Sequence, residues 1–389
     1  MKIIRFIFRF LVSIVIAAGI ISLILWISGN GHVIKAVRST YLVGKTGPTI
    51  DDFPKFENRK VAISSSQEWE KSPHFNSKSL PEALKSKIEA WKTVGLVVIK
   101  DKKLLFEQYW NGYSEKSKTN SFSMAKSLTS LAVGAAIHEG KIKSIKQKVG
   151  DFLPEFNNGE KSEITIEHLL QMSSGIDFGE SYGNPFGYMA KTYYGTDLYD
   201  LTVNKPIKHP AGTVWKYQGG NTLLLSFILA KATGKTLADY FSEQFWQPMG
   251  SSEEALWTLN ESEGIEKSYC CFYSNPRDFA RIGQLLLDSG KWKGKALISK
   301  DYFLQSLQPI MLPDEDGKTI DYYGFQWWMG KYKGNAFYYA RGIQGQYIFA
   351  HPAWNMVIVR LGHKRDPEKG AVYPKDIFDY LEVGEWLNE

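Results

Sequence analysis

Strand-forming patterns occupy only two stretches of this chain, and a long helical block separates them. Early on, GLVVIK (95–100) and LLFEQYW (104–110) flank a short polar turn and read as a β-hairpin. After about residue 320, YGFQWWM, NAFYYA, GQYIFAHP and MVIVRLG follow one another with Gly, Pro and Asn turns between them. Residues from about 141 to 315 read as mainly helical. The two strand regions are expected to form one antiparallel sheet, with the helical block as an inserted subdomain. That makes the fold class α+β. No internal repeat is present.

The helices have readable ends. Ser79-Leu-Pro-Glu opens one that runs through Trp91, with Ser79 as N-cap and Pro81 early in the helix. Phe122 to Glu139 is a second, ended by Gly140. Its apolar residues go nearly all the way round, the mark of a helix buried on most sides. Asn221 starts a third, TLLLSFILAKATG. Asn275 caps a fourth, with Pro276 at its first position. A short last helix is expected near Pro374 to Val383.

Phe10 to Ile27 is a run of 18 uncharged residues, long enough to cross a hydrocarbon core. Trp26 sits at one end, where an interfacial aromatic belongs. A cleaved signal peptide would have a shorter apolar core and an A-x-A-like site. The reading is therefore an uncleaved anchor over residues 1–30, a polar arm over 31–78, and a folded domain over 79–389. Lys2, Arg5 and Arg9 precede the run and favour a cytoplasmic N-terminus. The bulk of the chain is then expected on the outer, periplasmic face of the cell (inner) membrane.

The net charge is +6, and three of those charges belong to the N-terminal lead. No basic cluster interleaves with aromatics, so no nucleic-acid partner is expected. Cys270 and Cys271 are adjacent, and neighbours seldom satisfy disulfide geometry. They are expected as two small buried side chains. No Cys/His spacing suggests a metal.

Ser123-Met-Ala-Lys126 is the one Ser-x-x-Lys in the chain. Ser123 begins the buried helix, where free N–H groups stabilise developing negative charge. Lys126 lies three residues on, on the same face. An apolar setting disfavours its cation, and a neutral amine can take the serine proton. The bland alternative is a capping serine and a snorkelling lysine. Tyr217, in WKYQGGN, precedes glycines and a helix, and its hydroxyl could relay a proton. Alternatively it is a packed loop tyrosine. Gly342 and Gly345, in ARGIQGQY, let backbone approach a ligand, or make an ordinary hairpin bend.

Taken together, these motifs resemble those of the penicillin-recognising serine hydrolases: class C β-lactamases, DD-peptidases, family VIII esterases and 6-aminohexanoate-dimer hydrolase, the last most of all. TIEHLLQMSSGIDF, PAGTVWKY and RGIQGQYIF, with the run from Tyr269 to Lys295, extend the likeness over about 85–385. The resemblance implies a β-lactamase/DD-peptidase-like fold and no cofactor. It makes Ser123 the nucleophile, Lys126 its base and Tyr217 the proton shuttle. The N–H groups of Ser123 and Ile343 become the oxyanion hole. Tyr182, Gly219, Gly342 and Gln344 become substrate contacts. Gly219 stands where the family usually has Asn, and Ala340 where it usually has Lys or His. Both departures favour a small-molecule ester or linear amide over a β-lactam. A DD-peptidase, a β-lactam sensor and a non-catalytic membrane scaffold are the alternatives. Oligomeric state stays open.

Overall fold

The computed structural model describes residues 1–367 and 372–389. The chain divides into two compact units, one of residues 1–48 with 178–201, the other of residues 49–177 with 202–389. In the first, helix α1 (Lys2–Ile27) has no buried residue and is long and apolar enough to cross a membrane. A helix over His32–Ser39, within a stretch that reads as polar arm, packs on another over Tyr188–Tyr194. His32 Nε2 lies 2.9 Å from the Pro185 carbonyl.

The second unit is built on a six-stranded sheet. Its strands are β1 (Thr93–Lys100), β2 (Lys103–Tyr109), β3 (Trp328–Tyr332), β4 (Asn335–Gly342), β5 (Gln346–His351) and β6 (Met356–Gly362). The order is β3-β4-β5-β6-β1-β2, antiparallel throughout, so the early hairpin joins the late meander through β6 and β1. Strand β6 is buried at every position. Helix α4 (Pro276–Leu287) brings Gly283 onto Val357, and helix α5 (Asp376–Asn388) brings Gly384 onto Ile358. Neighbouring strand residues face opposite sides. A sheet covered on both faces therefore reads as a continuous apolar run rather than an alternating one.

Helix α2 (Met124–His138) and helix α3 (Gly219–Thr233) pack against each other, and α2 also meets β4. Every residue of α2 from Met124 to Ala136 is buried. Asn275 caps α4 by accepting from the Asp278 N–H at 2.8 Å, with Pro276 at the first turn.

Several boundaries differ from the sequence reading. The helix before β1 spans Glu82–Ala90 with Pro81 at its cap, because extended backbone at Pro81 starts it later than Ser79. Helix α3 begins at Gly219, which puts Asn221 inside the first turn. The region 323–327 is a turn that leads into β3, since Gln326 has φ 62 and breaks the strand. Helix α5 runs five residues past Val383.

Two features run against expectation. Asn58–Val61, Ala255–Thr258, Phe272–Ser274 and Thr119–Asn120 form a second, four-stranded sheet, partly inside the block read as helical. Strands of two to four residues leave too short a pattern to see. The Cys270 and Cys271 sulfurs are bonded to each other, which corrects the expectation of two separate thiols. Both residues are buried, as expected, and Cys271 adopts φ 67, unlike an ordinary strand residue.

Candidate active site

The turn before α2 is held from both sides. Asn120 Oδ1 accepts from the Phe122 N–H at 2.8 Å, and its Nδ2 donates to the Tyr273 hydroxyl at 2.9 Å. The Ser121 N–H donates to the Phe272 carbonyl at 2.8 Å. Phe122 sits at φ 44, a strained conformation for a bulky residue. Such strain persists only where the surroundings over-determine it. Ser123 then occupies the N-cap of α2 and is half-buried, while Lys126 is 1 % exposed.

Lys126 Nζ donates to Ser123 Oγ at 3.0 Å and to the Tyr269 carbonyl at 2.9 Å. It also lies 4.9 Å from the centre of the Tyr217 ring. Among the described residues no hydrogen bond joins the Tyr217 hydroxyl to Ser123 or Lys126. Tyr217 is anchored by its neighbours instead. The Trp215 N–H donates to the Pro313 carbonyl and the Lys216 N–H to the Met172 carbonyl, each at 2.8 Å. Buried Gln326 ties the two helices behind the site. Ser127 Oγ of α2 donates to its carbonyl at 2.6 Å, and Thr222 Oγ1 of α3 to its Oε1 at 3.0 Å.

The end of β4 abuts this turn. A Cβ at Gly342 would come 2.3 Å from the Ser121 carbonyl oxygen and 3.2 Å from the Phe122 Cβ. Only glycine lets the strand approach so closely. Ile343 follows it directly. Among the described residues, neither the Ser123 nor the Ile343 N–H reaches an acceptor outside the regular ladders. Free N–H groups on two abutting turns can together receive a negatively charged oxygen.

One wall beside Tyr217 is aromatic. Its ring lies 5.4 Å from Trp328 and 6.0 Å from Tyr323, and Tyr322 stacks on Trp328 at 6.2 Å. Burial pushes the Tyr322 phenol up and that of Tyr339, behind Trp328, to about 12. Both stay neutral at ordinary pH, so neither phenol adds a charge to this wall.

A β-lactamase family model matches residues 87–381. The chain belongs to the β-lactamase family. It is 26 % identical over 309 residues to the 6-aminohexanoate-dimer hydrolase of Paenarthrobacter ureafaciens, covering 74 % of this chain and 77 % of that protein. Its fold is shared with a candidate 6-aminohexanoate-dimer hydrolase from Bacillus anthracis, at TM-score 0.73 and 23 % identity, covering 87 % of this chain and 93 % of the other. A family VIII carboxylesterase superposes at TM-score 0.65 and 17 % identity, over 85 % of this chain and all 100 % of its own. The relatives of this family include serine hydrolases.

Against that family pattern, the two unusual positions have visible occupants. A Cβ at Gly219 would meet the Tyr269 side chain at 3.1–3.2 Å, so the tyrosine ring fills the space beside the usual amide position. Ala340 is buried, and Arg341 lies flat over Trp328, 3.4 Å from its ring centre. Its Nη1 donates to the Val372 carbonyl at 3.1 Å. The guanidinium is thus committed to a stack and a carbonyl. Gln344 sits at φ 61 within the turn after β4. Tyr182 belongs to the first unit, where its exposed hydroxyl donates to Glu180 at 2.7 Å. The sequence reading missed Tyr269. It serves Lys126 through a backbone carbonyl, and no side-chain pattern announces such a role.

Proposed function

We propose that this chain is a membrane-anchored serine hydrolase that works through an acyl-enzyme on Ser123, with linear esters or amides as substrates. What supports the reading above all is the 3.0 Å contact of Lys126 Nζ with Ser123 Oγ at the start of a buried helix. In the proposed cycle Lys126 takes the Oγ proton while Oγ attacks the substrate carbonyl carbon. The resulting oxyanion is received by the N–H groups of Ser123 and Ile343. Tyr217 passes a proton to the leaving alcohol or amine as its bond to carbon breaks. A water molecule then attacks the acyl carbon and gives its proton to Lys126, and that proton passes to Oγ as the bond between Oγ and the acyl carbon breaks, releasing the acid.

The substrate class follows from what the pocket lacks and what it offers. Gly219 brings no amide and Ala340 no cation, and the nearby Arg341 is already engaged. The aromatic wall of Tyr217, Tyr322 and Trp328 offers ring faces against which an aliphatic chain can lie. The 6-aminohexanoate-dimer hydrolase among the relatives is named for a dimer of an aliphatic amino acid. In this reading Gln344 is a further substrate contact, and α1 is an anchor that leaves the hydrolase domain outside the cytoplasm.

The test is intact-mass measurement and peptide mapping after incubation with a p-nitrophenyl ester, nitrocefin or a linear aminohexanoate dimer. An acyl adduct on Ser123 from the ester or the dimer is expected. An adduct elsewhere, or none from any of the three, would overturn the reading.

A further inference from the structure

The turn that carries the Ile343 N–H is held from behind by two fully buried side chains. Gln346 donates from Nε2 to the Ile343 carbonyl at 3.1 Å and to the Gly362 carbonyl at 2.7 Å. Its Oε1 accepts from the Gly362 N–H at 3.1 Å, so its whole amide is used. Arg360, 0 % exposed on β6, donates from Nη1 to the carbonyls of Gln344, at 2.9 Å, and Gly345. Its Nη2 donates to the carbonyls of Trp91 and Lys364, and its Nε to Thr93 Oγ1 at 3.1 Å. Five N–H groups meet five oxygens, which exhausts the donors of a guanidinium.

This arginine has no ion pair among the described residues. A buried cation that spends every donor on neutral oxygens is costly to bury. Its acceptors show what it is for. Two of them belong to one three-residue turn, and Gln346 holds the carbonyl of the third residue. The fold also makes room for the guanidinium twice, at Gly345 and Gly362. A Cβ there would lie 2.0 and 2.4 Å from the guanidinium nitrogens.

We propose that Arg360 and Gln346 are positioning residues that clamp the Ile343–Gly345 turn and so keep the Ile343 N–H aimed at the oxyanion. The inference rests on the acyl-enzyme reading above. Neither residue touches the reacting atoms. With the carbonyls of Ile343, Gln344 and Gly345 all tied, the turn cannot rotate as the reaction proceeds. A donor fixed before the reaction needs no reorganisation during it.

Three measurements test the clamp. Arg360→Lys keeps the charge but cannot span the carbonyls, and Gln346→Met removes the amide at similar length. Each is expected to lower kcat on a p-nitrophenyl ester by about 10-fold to 100-fold with little change in KM, as loosening an oxyanion donor does. Affinity for phenylboronic acid, which forms a tetrahedral adduct on the serine, is expected to fall in parallel. A merely structural role would lower melting temperature and leave both quantities intact in the folded variant. That outcome would overturn the clamp while wild-type acylation of Ser123 left the parent reading standing. Should both variants fail to fold, the wild-type boronate adduct still decides, because a turn that rearranges on adduct formation is not clamped. Absence of any wild-type adduct on Ser123 would instead overturn the parent reading.

Discussion

The turn at Ser123 and the turn at Ile343 abut each other, yet they are built in opposite ways. On the first, the groups assigned to the proposed cycle are side chains: Ser123 Oγ and Lys126 Nζ, 3.0 Å apart on one helical turn. On the second, the group assigned is a backbone N–H, and the side chains of Gln346 and Arg360 bond the peptide from outside the proposed chemistry. The first turn is destroyed by deleting atoms. The second is disturbed by atoms added at its close approach, or by loss of the distant side chains that hold it. If this contrast is sound, the two turns should respond to different kinds of substitution.

Deletion at the first turn should give the largest effect. Ser123→Ala is expected to lower turnover by about 10⁴-fold or more. Lys126→Ala should come close to it, and the double variant should be little worse than either, because groups that act as a unit are not additive. Steady-state kinetics on a p-nitrophenyl ester would read all three. A double variant that multiplies the two single losses would mean that the serine and lysine act separately.

Addition at the second turn should come next. Gly342→Val places a Cβ 2.3 Å from the Ser121 oxygen, a backbone atom that cannot swing away. The end of β4 must then withdraw from the α2 turn. We expect a loss of about 10²-fold in kcat, the effect of removing one oxyanion donor. The strain should also cost about 1–3 kcal/mol of stability by overpacking. Urea melts set beside kinetics separate the two. Full activity in a folded variant would mean that the close approach of the turns is irrelevant to catalysis.

The same contrast explains what the sequence could and could not reveal. The contact of Ser123 with Lys126 and the buried helix under them were legible because side-chain identity and spacing are what a sequence records. The large sheet was legible because its strands are five to eight residues long and strongly apolar. Gly342 was legible as a close approach, though not to what. Tyr269 was invisible because its carbonyl, not its ring, accepts from Lys126. Arg360 and Gln346 were invisible because a buried polar residue inside an apolar strand gives no hint of which carbonyls it will find. The bond between Cys270 and Cys271 was misread because a general rule about neighbouring cysteines was applied where the backbone at Cys271 is unusual.

A milder addition probes the boundary between the turns. Gly219→Asn would restore the residue usual in related enzymes. Here the new Cβ meets a tyrosine ring at 3.1–3.2 Å, and that residue also carries the carbonyl beneath Lys126. The amide should displace Tyr269 rather than serve a substrate. Ester turnover is expected to fall about tenfold through misplacement of the lysine. No nitrocefin hydrolysis should appear. Gained β-lactam turnover would show instead that the missing amide alone sets the substrate class.

The smallest effect should come from a side-chain contact that the backbone makes redundant. Glu315 accepts from Lys208 at 2.8 Å and from Lys216, the neighbour of Tyr217, at 2.9 Å. Its bond to Lys208 holds its carboxyl down at about 2, with Lys216 adding to the pull. A carboxylate depressed in the folded state stabilises fully above its unfolded value of about 4.5, and that stability is lost as pH falls toward about 2. Solvent screens this exposed cluster, so the contribution should be under about 1 kcal/mol. Glu315→Gln should therefore flatten the acid limb of stability over that window and leave kcat near wild type. The Trp215 and Lys216 amides remain tied to the carbonyls of Pro313 and Met172, and those bonds hold the Tyr217 loop without the ion pairs. A large fall in kcat in this variant would show that charge, rather than backbone, sets the position of Tyr217.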